Sequence, residues 1–130
     1  MKDSPRHFLI LDDEESIRQS ISAYMEDEGY IVFQASSGEE ALELLAQNHI
    51  EYAVVDIRLP GMDGNMFMRE ARKIIPQIKF VVHTGSADYS PPKEIRDLGV
   101  RPEDVLIKPA SDLKVLCEAL KNQSRGRKDK

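Results

Sequence analysis

Four short apolar runs in this chain end on a residue able to hold a metal ion or a phosphoryl group. Phe8-Leu9-Ile10-Leu11 runs into Asp12-Asp13, and Tyr52-Ala53-Val54-Val55 runs into Asp56. Phe80-Val81-Val82-His83 ends at Thr84, and Val105-Leu106-Ile107 ends at Lys108-Pro109. A fifth run, Tyr30 to Phe33, lies between the first two. Each has strand length and is followed by a helical pattern, so β and α alternate five times over. Such alternation gives a doubly wound α/β fold, a parallel sheet with helices on both faces. The carboxyl ends of its strands share one edge, where ligands bind. Residues some fifty to a hundred positions apart therefore converge.

The helices follow from apolar spacing and punctuation. Glu14 to Glu28 carries Ile17, Ile21, Tyr24 and Met25 on one face, with acidic residues at its positive end and Gly29 as its C-terminal stop. Ser37-x-x-Glu40 has the form of a capping box and opens a helix running to about Asn48. Pro60-Gly61-Met62-Asp63-Gly64 is a turn, and Phe67, Ala71, Ile74 and Ile75 mark a third helix from Asn65, stopped by Pro76. Pro91-Pro92 suits the first turn of a short helix with Ile95 and Leu98, capped by Gly99. Leu113, Leu116, Cys117 and Leu120 give a last amphipathic helix with Ser111 as its N-cap.

At 130 residues the chain is one domain by size, with residues 1–123 as the folded unit and the basic stretch 124–130 as a disordered tail. No apolar run is long enough to span a bilayer, and Asp12-Asp13 interrupts the first one too soon for a signal peptide. A single cysteine, Cys117, excludes an internal disulfide and suits a reducing, cytoplasmic setting. The net charge of −5 argues against broad nucleic-acid affinity, so no direct DNA binding and no membrane association are expected.

Three carboxylates and one amine at a common edge define a chemistry. Asp12, Asp13 and Asp56 repel one another without a counter-ion, at roughly 4 kcal/mol per pair for a separation of about 4 Å and an effective dielectric near 20. Few, hard, partly exposed oxygen ligands suit Mg²⁺. A carboxylate attacks phosphorus only where the incoming charge is neutralised, by a cation and by an ammonium and a hydroxyl on the phosphoryl oxygens. Asp56 is therefore the candidate phosphoacceptor, Asp12 and Asp13 the metal end, and Lys108 and Thr84 the phosphoryl-oxygen partners.

These pieces, Leu11-Asp12-Asp13-Glu14, Asp56 through Gly64, His83-Thr84-Gly85 and Lys108-Pro109, occur in one order, each after a strand. With them the chain resembles a response-regulator receiver domain of two-component signalling, from about His7 to Lys121. The resemblance implies a five-stranded flavodoxin-like sheet of order 2-1-3-4-5. It implies that Asp56 accepts a phosphoryl group from a sensor histidine kinase or a histidine phosphotransfer protein. It also implies that Asp13 ligates Mg²⁺ directly, Asp12 through water, and the Arg58 backbone carbonyl as a further ligand. Lys108 would precede a cis Pro109, and Arg58 and Ser86 would tune dephosphorylation. Thr84 would move toward the phosphoryl group and change the surface of the fourth helix, fifth strand and fifth helix for an output protein whose identity is open. With no further domain in the chain, the expectation is a stand-alone receiver that assists its own phosphoryl transfer and dephosphorylation.

The match has departures. Val105 stands where the family usually has an aromatic, and Ala110 where one often follows Lys-Pro. An aspartyl phosphatase of the haloacid-dehalogenase type shares much of the constellation, but its general acid would fall at Arg58, which holds its proton at neutral pH. A phosphorylation-independent docking module is the third reading. Several residues read as structural: His83 alternates away from Thr84, Cys117 lies on an apolar stripe, and Met62, Met66 and Met68 fill core and loops. Arg125, Arg127, Lys128 and Lys130 read as a solvated tail.

Overall fold

Residues 6–108 are described by the computed structural model, and within them five strands and four helices alternate. The strands are β1 (His7–Leu11), β2 (Ile31–Ala35), β3 (Tyr52–Val55), β4 (Lys79–Thr84) and β5 (Val105–Ile107). The helices are α1 (Glu15–Asp27), α2 (Gly38–Gln47), α3 (Gly64–Ile74) and the single turn α4 (Lys93–Arg96), and a 3₁₀ turn, Pro102–Asp104, leads into β5. All pairings are parallel and the spatial order is β2-β1-β3-β4-β5. The expectations for Pro109, Ala110, Ser111, the last helix, Cys117 and the basic tail lie outside the described residues. Among the described residues no helix is long and apolar enough to cross a membrane.

Alternation along the strands divides the core in two. Leu9, Leu11, Ala53, Val55, Phe80 and Val82 face one side, where Phe67, Met68 and Ala71 of α3 and Ala41 and Leu45 of α2 cover them. Phe8, Ile10, Tyr52, Val54 and Val81 face the other, against Ile21 and Met25 of α1. Both faces of β3 are buried along its whole length, as a central parallel strand requires. Met68 is buried and Met62 packs beneath α2, while Met66 remains 43% exposed.

Several boundaries differ from the sequence expectation for local reasons. α1 begins at Glu15, because the Glu14 amide is taken by the Asp12 carboxylate at 2.9 Å and Glu14 itself is extended. Tyr30 belongs to the helix stop, not to β2: Gly29 takes a positive φ of 96° and the Tyr30 amide returns to the Met25 carbonyl. β2 then runs on to Ala35, since its pairing with β1 continues to Leu11. Ser37 accepts from the Glu40 amide as a cap should, but the Glu40 carboxylate reaches the amide and hydroxyl of Ser36 instead of Ser37. Pro92 stands just outside α4, extended, and its carbonyl takes the amides of Ile95 and Arg96. α3 starts at Gly64, one residue early, with Asp63 capping the Met66 amide at 2.9 Å.

Gly64 matters most for the site, because it lets α3 press against the strand end that carries Asp56. A Cβ there would lie 2.4 Å from the Asp56 carbonyl oxygen and 2.8 Å from the Ile57 Cα, both backbone atoms that have no room to yield. Gly64→Ala is expected to lower stability by about 1–3 kcal/mol in thermal or urea unfolding. Gly85→Ala, with nothing within 4 Å of its would-be Cβ, is the control and should leave stability unchanged or slightly higher.

Candidate functional site

The sheet ladder delivers the acidic side chains to one edge. The Asp56 amide bonds the Leu11 carbonyl and the Asp12 amide bonds the Ala35 carbonyl, so both aspartates stand one step past paired strand ends. Lys108 is held likewise, its amide on the Thr84 carbonyl at 2.7 Å. Its ammonium lies 2.9 Å from Asp12 Oδ2, 3.2 Å from Asp56 Oδ2 and 3.4 Å from Glu14 Oε1. Ligand oxygens of Asp12, Asp13 and Asp56 all lie within 4.8 Å of one another. Asp12 and Asp56 are buried, whereas Asp13 is exposed.

The electrostatics are those of a crowded anion site. Burial, then the Asp12 charge, push the Asp56 carboxyl above its ordinary value; Lys108 and the Arg58 backbone amide pull it back without prevailing. Burial works against the Lys108 charge, but the hydrogen bond and charge of Asp12, followed by those of Asp56, raise it above the ordinary lysine range. One ammonium among three carboxylates leaves an excess of negative charge. The donor set is three hard oxygens, one exposed, and it fits Mg²⁺, which keeps several waters.

Thr84 is fully buried and its hydroxyl accepts from the Ser86 amide at 3.1 Å, so it is tied to the loop after β4. That loop is joined once to the loop after β3 and once to the first turn of α3. Arg58 Nε donates to Ser86 Oγ at 2.5 Å, and the Tyr89 hydroxyl donates to Asn65 Oδ1 at 2.7 Å. Between them lies a groove of about 370 Å³ lined by Ile57, Arg58, Asn65, Ser86, Tyr89 and Pro92, among others. Burial, then the charges of Asp63 and Glu94, push the Tyr89 phenol up to about 12. Pro109 lies outside the described residues.

Asp12, Asp13, Asp56 and Lys108 are thus together, and Arg58, Ser86 and Thr84 form an adjoining network. Three participants were not assigned from the sequence. Glu14 reaches Lys108, a contact its place beside Asp12-Asp13 could have suggested. Arg18 donates to the Asp12 carbonyl at 2.7 Å and steadies the loop bearing both aspartates; on a helix surface it looks like any solvated arginine. His83 is buried as its alternation implies, yet neither ring nitrogen has a hydrogen-bond partner. Burial, then the Lys108 charge, hold its imidazole below the ordinary histidine value, against the pull of Asp12.

A family model described as the response regulator receiver domain matches residues 8–121. Sporulation initiation phosphotransferase F of Bacillus subtilis is 30% identical over 91 residues, 70% of this chain and 73% of that protein. Sensor kinase CckA of Brucella abortus is 37% identical over 82 residues, which is 62% of this chain but 9% of the kinase. The crystal structure of response regulator protein TrrA from Thermotoga maritima, in complex with Mg²⁺ and BeF, has a TM-score of 0.75 at 26% identity. That likeness covers 90% of this chain and 97% of the other.

The raised Asp56 carboxyl has a consequence for stability. A folded-state value above the unfolded one means that stability is fully present below the unfolded pKa, near 3.8, and is lost as pH rises through the folded pKa. Asp56→Asn removes that loss. Without divalent cations at neutral pH, the variant should therefore unfold at a higher temperature than wild type. The gap should close as pH falls toward 4, as followed by thermal unfolding monitored with circular dichroism.

Proposed function

We propose, from the premise that the chain belongs to the response regulator receiver domain family, that Asp56 is the phosphoacceptor of a Mg²⁺-dependent signalling switch. Proteins of this family are phosphorylation-dependent switches of two-component systems, signalling domains rather than enzymes, and receive their phosphoryl groups from histidine kinases or phosphotransfer proteins. The observation that carries the assignment is the position of Lys108, bridging Asp56 and Asp12 on an edge where three carboxylates meet.

Asp13, Asp12, Asp56 and the Arg58 carbonyl would hold the cation, which supplies charge neutralisation between the carboxylates and the incoming phosphoryl oxygens. An Asp56 carboxylate oxygen attacks phosphorus as the P–N bond to the donor imidazole breaks, leaving an acyl phosphate. Lys108 leaves Asp12 to meet a phosphoryl oxygen with its full charge. Thr84 follows only by giving up its hydrogen bond to the Ser86 amide, so its movement loosens the loop that holds Arg58 and Tyr89. In reversal by water, a P–O bond to water forms, the bond to Asp56 breaks, and the carboxylate is restored.

The output is a changed surface over α4, β5 and the helix expected after it, read by a protein partner. Val105, paired with Val82 in the sheet and only half-buried, lacks the bulk that an aromatic at this position would swing. The loop tied to Thr84 is then the more direct route to α4. The absence of a transmembrane-type helix among the described residues and the reducing setting suited to one cysteine support a cytoplasmic location.

Incubation with acetyl phosphate and Mg²⁺ should add one phosphoryl mass to the wild type in intact mass spectrometry. Asp56→Asn and chelation of Mg²⁺ should each abolish the addition; a product that survives in Asp56→Asn rejects the assignment. Arg58, clasped to Ser86 beside the acid cluster, is assigned to slow the approach of water. Arg58→Ala should therefore shorten the phosphoryl lifetime by about tenfold, equivalent to about 1.4 kcal/mol of barrier. An unchanged lifetime rejects that role.

A further inference from the structure

His83 is the only buried histidine among the described residues, 3% exposed, and neither of its ring nitrogens is hydrogen-bonded. Along β4 it follows the apolar Val81 and Val82 and precedes the buried Thr84. A buried imidazole without partners costs free energy that another valine or leucine would not.

The sheet register shows where the ring belongs. Ile10 pairs with Val54 and Val54 with Val81, and all three face the α1 side of the core. Two residues further on, the same alternation, carried one step past the ends of β1 and β3 by the ladder bonds of the Asp12 and Asp56 amides, puts both aspartates on the face of His83. His83 pairs with Leu106, which packs on the same core, and Lys108 follows two residues later. An independent observation agrees: Lys108 and Asp12 are the charges that act on the imidazole. Thr84 continues the opposite face, behind Val82.

In the resting site the carboxylate oxygens nearby bond other donors, and none bonds the ring. Asp12 Oδ1 takes the Glu14 amide, and Asp12 Oδ2 and Asp56 Oδ2 take Lys108. A cation brings no acceptor for a ring N–H. A phosphoryl group on Asp56 brings three oxygens and draws Lys108 away. We propose that His83 is a further phosphoryl-site residue, donating its ring N–H to an oxygen of the acyl phosphate on Asp56. The group would then be gripped by Thr84 from one face of the sheet and by His83 from the other. The inference rests on Asp56 being the phosphoacceptor.

The test uses the whole chain with Mg²⁺ and beryllofluoride, an acyl-phosphate mimic. The His83 imidazole N–H, observed by ¹H–¹⁵N NMR, should shift downfield with Mg²⁺ plus beryllofluoride and stay in place with Mg²⁺ alone. His83→Leu should bind Mg²⁺ like wild type but need about tenfold more beryllofluoride for half-saturation. His83→Asn, which keeps a donor, should recover part of the loss. If wild type takes up beryllofluoride with no change in the imidazole signal, His83 is a core residue and the proposal falls while the Asp56 assignment stands. Equal beryllofluoride affinity in folded His83→Leu overturns it as well. Should that variant not fold, the wild-type imidazole signal decides. Failure of wild type to bind beryllofluoride overturns both assignments.

Discussion

Like charges held close together at the edge of a parallel sheet organise this molecule. Asp12 and Asp56 are buried because the ladder of β1 and β3 runs on through their amides, and the same ladder leaves them no freedom to separate. One ammonium, from Lys108, spans the gap. Burial, which weakens an isolated charge, here strengthens the hold of the pair on Lys108, because attraction grows where water is scarce. The compensation is incomplete: Asp56 remains harder to ionise than a free carboxyl. A site in this condition favours a divalent cation and, behind it, an oxyanion.

The surroundings of the cluster are built to be close without being rigid. Gly64 brings α3 against the Asp56 backbone, and Arg18 fastens the Asp12 carbonyl from α1. On the other side the contacts are few and exchangeable. Arg58 to Ser86, Ser86 to Thr84 and Tyr89 to Asn65 are single hydrogen bonds made by loop residues, and α4 is only one turn long. Each is worth about 1 kcal/mol net. Rearranging them therefore lies within reach of the charge added by one phosphoryl group, whereas moving α3 does not.

Two positions give the site its individual character, and both flank the same pair of strands. Val105 puts a small side chain on β5, and His83 puts a buried polar ring on β4 after the apolar Val81 and Val82. The pairing of Val82 with Val105 and of His83 with Leu106 makes them adjacent rungs of one ladder.

Much of this was legible in the residues themselves. Strand-length runs alternating with helical spacing determined a parallel doubly wound sheet, because no other layering buries both kinds of apolar face. The ends of those runs determined that Asp12, Asp56 and Lys108 would meet, because parallel strands share a carboxyl edge. The tertiary structure alone decided the rest. Whether Tyr30 belongs to β2 or to the α1 stop depended on the positive φ of Gly29 and on the register with β1. Glu14, Arg18 and the clasp of Arg58 on Ser86 are contacts across loops, and loop geometry has no period to read. The isolation of His83 was likewise invisible, since a sequence shows which side a residue faces but not which partners are missing there.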